Sequence, residues 1–154
     1  MNLKENFNQK ILNINNIEQY NKNLLKYNSI KDFSNLVIFG PSGIGKYSYS
    51  LKLIQQLSPS KLKYEKKMFI LSNKNEHIIK ISDIHYEINF ENLTCNSKTL
   101  FTDIYNNIID SIIINNNKFG IILCKNFHYI NHDIHDYFYS YMQKIINNNN
   151  ITIK

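Results

Sequence analysis

The sequence predicts an α/β protein with a mainly parallel sheet between two helical layers, a three-layer α/β/α arrangement. Two observations predict it. Short apolar runs alternate along the chain with segments whose apolar residues recur at helical spacing. One of these runs, Leu36–Phe39, is apolar without interruption, as in a central parallel strand covered on both faces. A length of 154 residues suits about one domain with a substantial core.

The N-terminal part is the least informative. Residues 1–16 are rich in Asn and Lys and predict a loose arm or a frayed helix, so the domain is expected to span residues 17–154. Apolar residues at helical spacing predict a helix over Ile17–Tyr27. A short loop leads from there to the strand at Leu36–Phe39.

A glycine-rich loop follows this strand and contains three of the four glycines of the chain. After it, Tyr49–Leu57 has helical periodicity and stops at Ser58-Pro59-Ser60. Strand, glycine loop and helix are the context of a P-loop, whose backbone N–H groups surround a phosphate while a lysine reaches the β and γ oxygens. ATP or ADP is the predicted ligand; a plain glycine turn is the simpler alternative. The candidate binding residues are Gly40, Pro41, Ser42, Gly43, Ile44, Gly45, Lys46, Tyr47 and Ser48.

The loop departs from the GxxxxGK[ST] pattern directly after its lysine. The pattern places a hydroxyl there because that oxygen binds Mg²⁺. Tyr47 holds the position, and Ser48 comes one residue late. The long rigid ring of tyrosine does not substitute for serine, so the sequence predicts nucleotide binding with doubtful magnesium binding.

The middle of the chain is predicted to form a hairpin, a strand and a helix. Lys67–Leu71 and the β-branched segment from Glu76 predict a hairpin that continues into a strand at His85–Phe90. Ser97 is a candidate cap for a helix over Lys98–Ile113. The residues expected on the buried stripe of that helix are Leu100, Ile104, Ile108 and Ile112.

The last third predicts a buried strand over Lys118–Lys125, a turn near His128–Asp133, a helix over Ile134–Ile146 and a short strand from Ile151. The helix is aromatic, and packing against the sheet or a neighbouring subunit is favoured over stacking on nucleic-acid bases. Its aromatic residues are Tyr137, Phe138, Tyr139 and Tyr141. A polar turn is likewise favoured over a metal site for His128, His132, Asp133, His135 and Asp136.

The groups that drive hydrolysis in P-loop ATPases are missing. Such enzymes carry acidic residues at the end of a later buried strand, where Cys124 and Lys125 stand in this chain. All 18 basic residues are lysine, so the chain has no arginine to stabilise a transferring phosphoryl group. We therefore expect little or no hydrolysis, no catalytic residues and no metal ligands. Lys125 is a candidate fixed cation in the magnesium position.

Charge, cysteine content and hydropathy indicate which partners and which cellular compartment to expect. The formal net charge of +6 comes from evenly scattered lysines, which more often cover a solvated surface than a nucleic-acid site. Cys95 and Cys124 fit no metal spacing and indicate thiols in a reducing compartment. With no apolar run of transmembrane length and a polar start, the chain is expected to be intracellular and soluble, with no membrane partner.

The loop Gly40–Ser48 resembles the GPSGxGKxT loop of one small subunit of replication factor C, the sliding-clamp loader of the AAA+ ATPase family. That subunit also has an extra residue between lysine and hydroxyl. The likeness spans about residues 30–146. It includes a hairpin insertion at Leu62–Ile84, the strand from His85, and the stretch Cys124-Lys125-Asn126-Phe127-His128, which is most like versions from large DNA viruses.

This resemblance implies an AAA+ fold and a five-subunit ring with other loader subunits. It also implies loading of a sliding clamp onto primer–template DNA, in a nucleus or a viral replication compartment. The chain reaches about the sensor-1 strand and stops before the family's lid and collar domains, and it lacks the family's Ser-Arg-Cys motif. Two alternatives remain. One is a P-loop nucleotide kinase of guanylate-kinase type, although such enzymes normally hold the phosphoryl acceptor with arginines, which this chain lacks. The other is a structural pseudo-subunit that binds no nucleotide.

Overall fold

The structure is a computed structural model that describes residues 6–15, 25–30, 32–93, 97–115, 118–147 and 151–154. The chain divides into two compact units, residues 1–66 together with Lys154, and residues 67–153. The glycine loop belongs to the first unit and the β-sheet to the second.

Among its described residues, the first unit contains two helices, α1 (Phe7–Asn15) and α2 (Lys46–Leu57), which pack against each other. Phe7 and Ile11 are buried, so this part of the predicted loose arm or frayed helix is a helix that packs on its apolar side. Asn6 and Gln9 explain where α1 begins, because each side chain accepts a hydrogen bond from the backbone N–H of the other, at 3.0 Å and 2.9 Å. This reciprocal arrangement is a capping box.

The predicted strand at Leu36–Phe39 is wrong. The segment has no regular secondary structure and joins no strand of the sheet in the described part of the chain. Val37 is 89% exposed and Phe39 is 88% exposed, whereas a central strand would bury both side chains. An apolar run becomes a strand only where a neighbouring strand pairs with its backbone, and sequence composition does not supply that neighbour.

The predicted helix over Ile17–Tyr27 lies mostly on residues outside the described ones. Residues 25–27 are described and are not helical. They are held to α2 instead: the Gln56 side chain donates to the Leu25 carbonyl at 3.0 Å and accepts from the Tyr27 N–H at 3.3 Å. The ring of Tyr27 also lies edge-on to that of Phe33, with centroids 4.8 Å apart.

The second unit contains a five-stranded mixed sheet in the order β1-β2-β3-β4-β5. The strands are β1 (Lys66–Ser72), β2 (Asn75–Ile81), β3 (His85–Asn89), β4 (Phe119–Lys125) and β5 (Thr152–Ile153).

The hairpin prediction is confirmed by β1 and β2, which a two-residue turn connects. Both turn residues have positive φ, 49° at Asn73 and 65° at Lys74, the pattern of a type I′ turn. β2 pairs antiparallel with β3, whereas β3–β4 and β4–β5 are parallel. The sheet is therefore mixed, and the prediction of a mainly parallel sheet is wrong because the hairpin contributes antiparallel strands.

Two helices, α3 (Ser97–Ile114) and α4 (His132–Asn147), connect the parallel strands. Both crossovers step in the same direction along the sheet, so the usual right-handed connection puts both helices on one face. The predicted stripe of α3 is confirmed, because its four residues are at most 3% exposed: Leu100, Ile104, Ile108 and Ile112. None of the described helices is long and apolar enough to cross a membrane.

The aromatic helix α4 packs against this core, as predicted. The ring of Phe138 lies 5.2 Å from that of Phe127 and 6.0 Å from those of Phe90 and Phe101. Tyr141 stacks near Tyr105 at 4.5 Å. Tyr139 remains 62% exposed. The α/β class is thus confirmed, while its assignment to the AAA+ family stays a prediction.

Candidate phosphate-binding loop

The glycine loop ends where α2 begins. Gly40, Gly43 and Gly45 have φ of 151°, 81° and 83°. At Gly43 and Gly45 this is the left-handed region, which glycine enters without the steric cost that a Cβ imposes. Gly45 is the N-cap residue and offers no side chain to the first turn. The sequence therefore bends the chain tightly into the start of a helix that has no side-chain cap.

The first turn of α2 is an electropositive helix end. The first hydrogen bond of the helix joins the Tyr49 N–H to the Gly45 carbonyl at 2.9 Å. In an α-helix, the N–H groups of the first turn point out of the helix end and are not used in its hydrogen-bond ladder. Together with the helix dipole, such groups attract an anion. The arrangement suits a phosphate.

Lys46 closes the loop. Its Nζ donates to the carbonyl oxygen of Gly40 at 2.8 Å and to that of Pro41 at 2.5 Å. The lysine side chain is therefore folded back across the loop. Residues 40–44 are exposed, and Lys46 is half-buried. A positive charge is thus held at an accessible loop rather than extended into solvent.

Tyr47 does not imitate the missing hydroxyl residue. Its ring lies under the ammonium of Lys10 from α1, with Nζ 4.8 Å from the ring centroid. A cation held at this distance over an aromatic face is attracted to it. Tyr47 therefore contributes to the contact between α1 and α2. One turn further along the helix, the Ser50 hydroxyl donates to the Lys46 carbonyl at 2.9 Å.

The predicted binding residues run from the glycine loop into the first turn of α2, and direct hydrogen bonds join Lys46 to Gly40 and Pro41. Cys124 and Lys125, which stand where an ATPase has its acids, are at the end of β4 in the second unit. Burial raises the pKa of the Cys124 thiol to about 12, so it stays protonated at neutral pH. A protonated thiol is a poor metal ligand.

Lys125 forms an ion pair with Glu87 of the neighbouring strand, a carboxylate that is not among the predicted site residues. Its Nζ lies 3.4 Å from Oε2 of Glu87, whose side chain is 4% exposed. The other oxygen of Glu87 lies 3.7 Å from Nε2 of the fully buried His85, whose Nδ1 is 2.5 Å from the Ser82 hydroxyl. A buried carboxylate with a cation beside it on the neighbouring strand is a neutralised pair.

Asn126 is a second residue that is not among the predicted site residues. It has a left-handed backbone, with φ of 52°. Its side-chain N–H₂ donates to Asn89 at 2.9 Å and to Glu91 at 3.1 Å. These bonds tie the end of β4 to the end of β3. The residue type is a weak signal for this position, since asparagine tolerates left-handed backbone.

No metal centre is found in the described ranges, where no three His, Cys, Asp or Glu side chains come together in a way that could hold an ion. Comparison with known proteins gives no assignment: neither a protein-family model nor a curated protein matches the chain.

Proposed function

We propose that Gly40–Ser48 binds the phosphates of ATP or ADP, and that the chain is a clamp-loader-like subunit that works through nucleotide-dependent assembly rather than hydrolysis. The observation that supports binding most directly is the position of the Lys46 ammonium. It is hydrogen-bonded to the carbonyls of Gly40 and Pro41 in a glycine loop that leads directly into a helix. The residues fit a phosphate because they present an ammonium group and N–H donors, with no carboxylate in the loop.

In this proposal the chain's own residues bind and orient the nucleotide. The N–H groups at the start of α2 and around Gly43 donate to phosphate oxygens. The Lys46 ammonium exchanges its two carbonyl partners for a phosphate, and this charge-assisted contact is the stronger one. Nucleotide would thereby release the hydrogen bonds that hold the loop closed.

Three features support weak or absent hydrolysis. Tyr47 replaces the magnesium-binding hydroxyl, and its ring contacts Lys10 instead. Cys124 and Lys125 stand in place of the acidic residues, and the chain has no arginine. The clamp-loader assignment rests on the resemblance of residues 30–146 and includes the other loader subunits, the sliding clamp and primer–template DNA as partners.

Lys46→Ala tests the binding step, with Lys52→Ala as the matched control because it removes a lysine from the same helix outside the loop. Loss of a hydrogen bond to a charged group costs roughly 1.5–3 kcal/mol, so calorimetry should show about 10- to 150-fold weaker ADP binding for Lys46→Ala alone. Equal affinity in the two variants rejects the site.

Three further outcomes separate the alternatives. Absence of any thermal shift with millimolar ATP or ADP establishes the structural pseudo-subunit. Phosphoryl transfer to a nucleoside monophosphate establishes the kinase. ATP turnover by the wild-type chain above that of Lys46→Ala rejects the claim of lost hydrolysis.

Sedimentation of the chain with other loader subunits, with and without ADP, tests the assembly: a nucleotide-dependent ring-sized species is expected.

A further inference from the structure

The segment Leu36–Phe39 consists of strand-forming residues that have no strand partner. Within the described ranges, its backbone takes part in no hydrogen bond, and it joins no strand of the sheet. None of its four residues has positive φ, so the backbone lies in the half of φ space that strands use. Its N–H and C=O groups are therefore available to a partner strand.

The side chains of this segment alternate between less exposed and more exposed. Leu36 is 39% exposed and Ile38 is half-buried, whereas Val37 and Phe39 are 89% and 88% exposed. Consecutive residues of an extended chain point to opposite sides. Val37 and Phe39 therefore form an apolar surface on one side of the segment. Contact of such side chains with water is unfavourable, so covering them favours association.

The surroundings of the segment carry no charge. The chain has no charged residue between Asp32 and Lys46. A partner that binds through its charge would need an opposite charge to meet it, and residues 33–45 offer none. Residues 33–39 also lack proline and glycine. Uncharged, β-prone segments of this length are those that pair with copies of themselves. The occupant that the sequence favours is therefore the same segment of a second chain.

Symmetry restricts how two copies can pair. A closed two-fold dimer uses the same patch on both chains, and identical strands meet antiparallel in it. Pairing centred on Ile38 places Val37 of each chain opposite Phe39 of the other. Opposite residues of an antiparallel pair lie on the same face, so the exposed side chains of both copies meet in one apolar cluster. We propose that Leu36–Phe39 is a self-association segment, which pairs antiparallel with Leu36–Phe39 of a second copy around Ile38.

The interface of this dimer is small. Stable complexes bury about 1,200–2,000 Å² and use about 20–30 residues on each side, and this segment supplies far fewer. The dimer is therefore expected to be weak, with a dissociation constant in the micromolar range or above. It does not depend on nucleotide, because Lys46 holds the carbonyls of Gly40 and Pro41, which follow the segment.

Sedimentation equilibrium of the full chain, from low micromolar to near-millimolar concentration, tests the dimer. The average mass should rise from that of one chain toward that of two. Phe39→Lys should weaken the dimer about tenfold or more, because it places a charge in the apolar cluster. Leu71→Lys makes the same change at another exposed apolar residue, on β1, and should weaken it less than about threefold. A chain that stays monomeric, or equal losses in the two variants, overturns the proposal.

Thermal unfolding of these two variants separates loss of pairing from loss of folding. At low micromolar concentration, where the chain is monomeric, both should unfold close to the wild-type midpoint because both replaced side chains are exposed. A midpoint clearly lower for Phe39→Lys than for Leu71→Lys would show that Phe39 is covered within its own chain. That result rejects the self-association segment.

Cysteine cross-linking tests the register in a background without native thiols, Cys95→Ser/Cys124→Ala. Ile38→Cys should form a disulfide-linked dimer on oxidation with copper–phenanthroline, because the residue meets its own copy across the two-fold axis. A mixture of Val37→Cys and Phe39→Cys should cross-link at least about fivefold faster than either variant alone, since a shift of two residues exceeds the usual Cα separation of a disulfide, about 4.4–6.8 Å. Equal rates in all combinations would mean random collision and reject the pairing.

Hydrogen exchange separates a second copy from the other possible occupants. Amides of residues 36–39 should exchange more slowly at high than at low protein concentration, with ADP and without it. Protection that is the same at both concentrations would mean that the segment pairs within its own chain. Protection that requires the addition of another protein would assign the segment to a different partner. Either of these two results rejects self-association.

Discussion

The ammonium of Lys46 lies 2.8 Å from the carbonyl oxygen of Gly40, so the lysine that ends the glycine loop also fastens its beginning. Both residues belong to one continuous stretch, and the left-handed glycines between them turn the chain back on itself. The loop is consequently ordered by its own hydrogen bonds. Any phosphate must compete with these bonds, and the measured affinity will reflect the difference.

Substitutions at Gly43 test how far backbone conformation maintains this loop. A Cβ at Gly43 would meet no atom within 4 Å, but its φ of 81° is unfavourable for L-residues. Gly43→Ala should therefore lower the free energy of unfolding by about 1–2 kcal/mol, from backbone strain alone. Gly43→Asn should cost less, because asparagine tolerates this conformation. Urea denaturation measures both, and an alanine variant as stable as wild type would contradict the loop conformation.

Gly120 should be sensitive for a different reason, which is contact across the core. A Cβ there would lie 2.5 Å from Cδ1 of Ile112 on α3 and 3.2 Å from Cε2 of Tyr86 on β3. Gly120→Ala should destabilise the fold by about 1–3 kcal/mol through overpacking. Combining it with Ile112→Val, which removes Cδ1, should recover part of this loss. Additive losses in the double variant would contradict the proposed clash.

The pair Glu87–Lys125 should show strong coupling. Lys125→Met leaves the buried Glu87 carboxylate without its cation, and removal of one partner from such a pair is costly. Because Lys125 is 30% exposed, we expect a loss of about 1–3 kcal/mol, less than for a fully buried pair.

Glu87→Gln should restore most of that stability when added to Lys125→Met, because no charge then remains buried. The exposed Lys66→Met serves as a control and should change the unfolding free energy by less than about 0.5 kcal/mol. Equal effects of the two lysine substitutions would show that the Glu87 contact contributes nothing.

Cys124 should make stability fall at alkaline pH. Burial raises the pKa of its thiol from 9.0 to about 12. The unfolded chain therefore loses this proton at lower pH than the folded chain, so the contribution is fully present below pH 9 and decreases as pH rises toward 12. Between pH 8.5 and 10 the loss should be about 1 kcal/mol.

Cys124→Ala provides the comparison, because Cys95 is present in both proteins and its contribution cancels. Stability curves from guanidinium unfolding at several pH values should be flatter for the variant by that amount. Parallel curves for variant and wild type would show that the thiol is exposed to water in the folded state.

Local patterns predicted the elements that are determined by near neighbours in the chain. Helix α3 lies within one residue of its predicted bounds at each end, and its predicted stripe is buried. Helical spacing alone specifies both. The Asn73-Lys74 turn joins two strands that the β-branched residues indicate. The Asn6–Gln9 capping box is also a local pattern. Asparagine is so frequent in this chain that one Asn three residues before a Gln does not stand out as a helix start.

What the sequence by itself determined is therefore the α/β class, the hairpin, the amphipathic helices and the glycine loop ending at Lys46, since each depends on spacing over a few residues. Only the tertiary structure decided the rest. Strand register decides three features: whether Leu36–Phe39 pairs as a strand, which cation lies beside Glu87, and how far β2 pairs with β3. Register is set by contacts between residues far apart in the chain, and single-residue properties do not encode it.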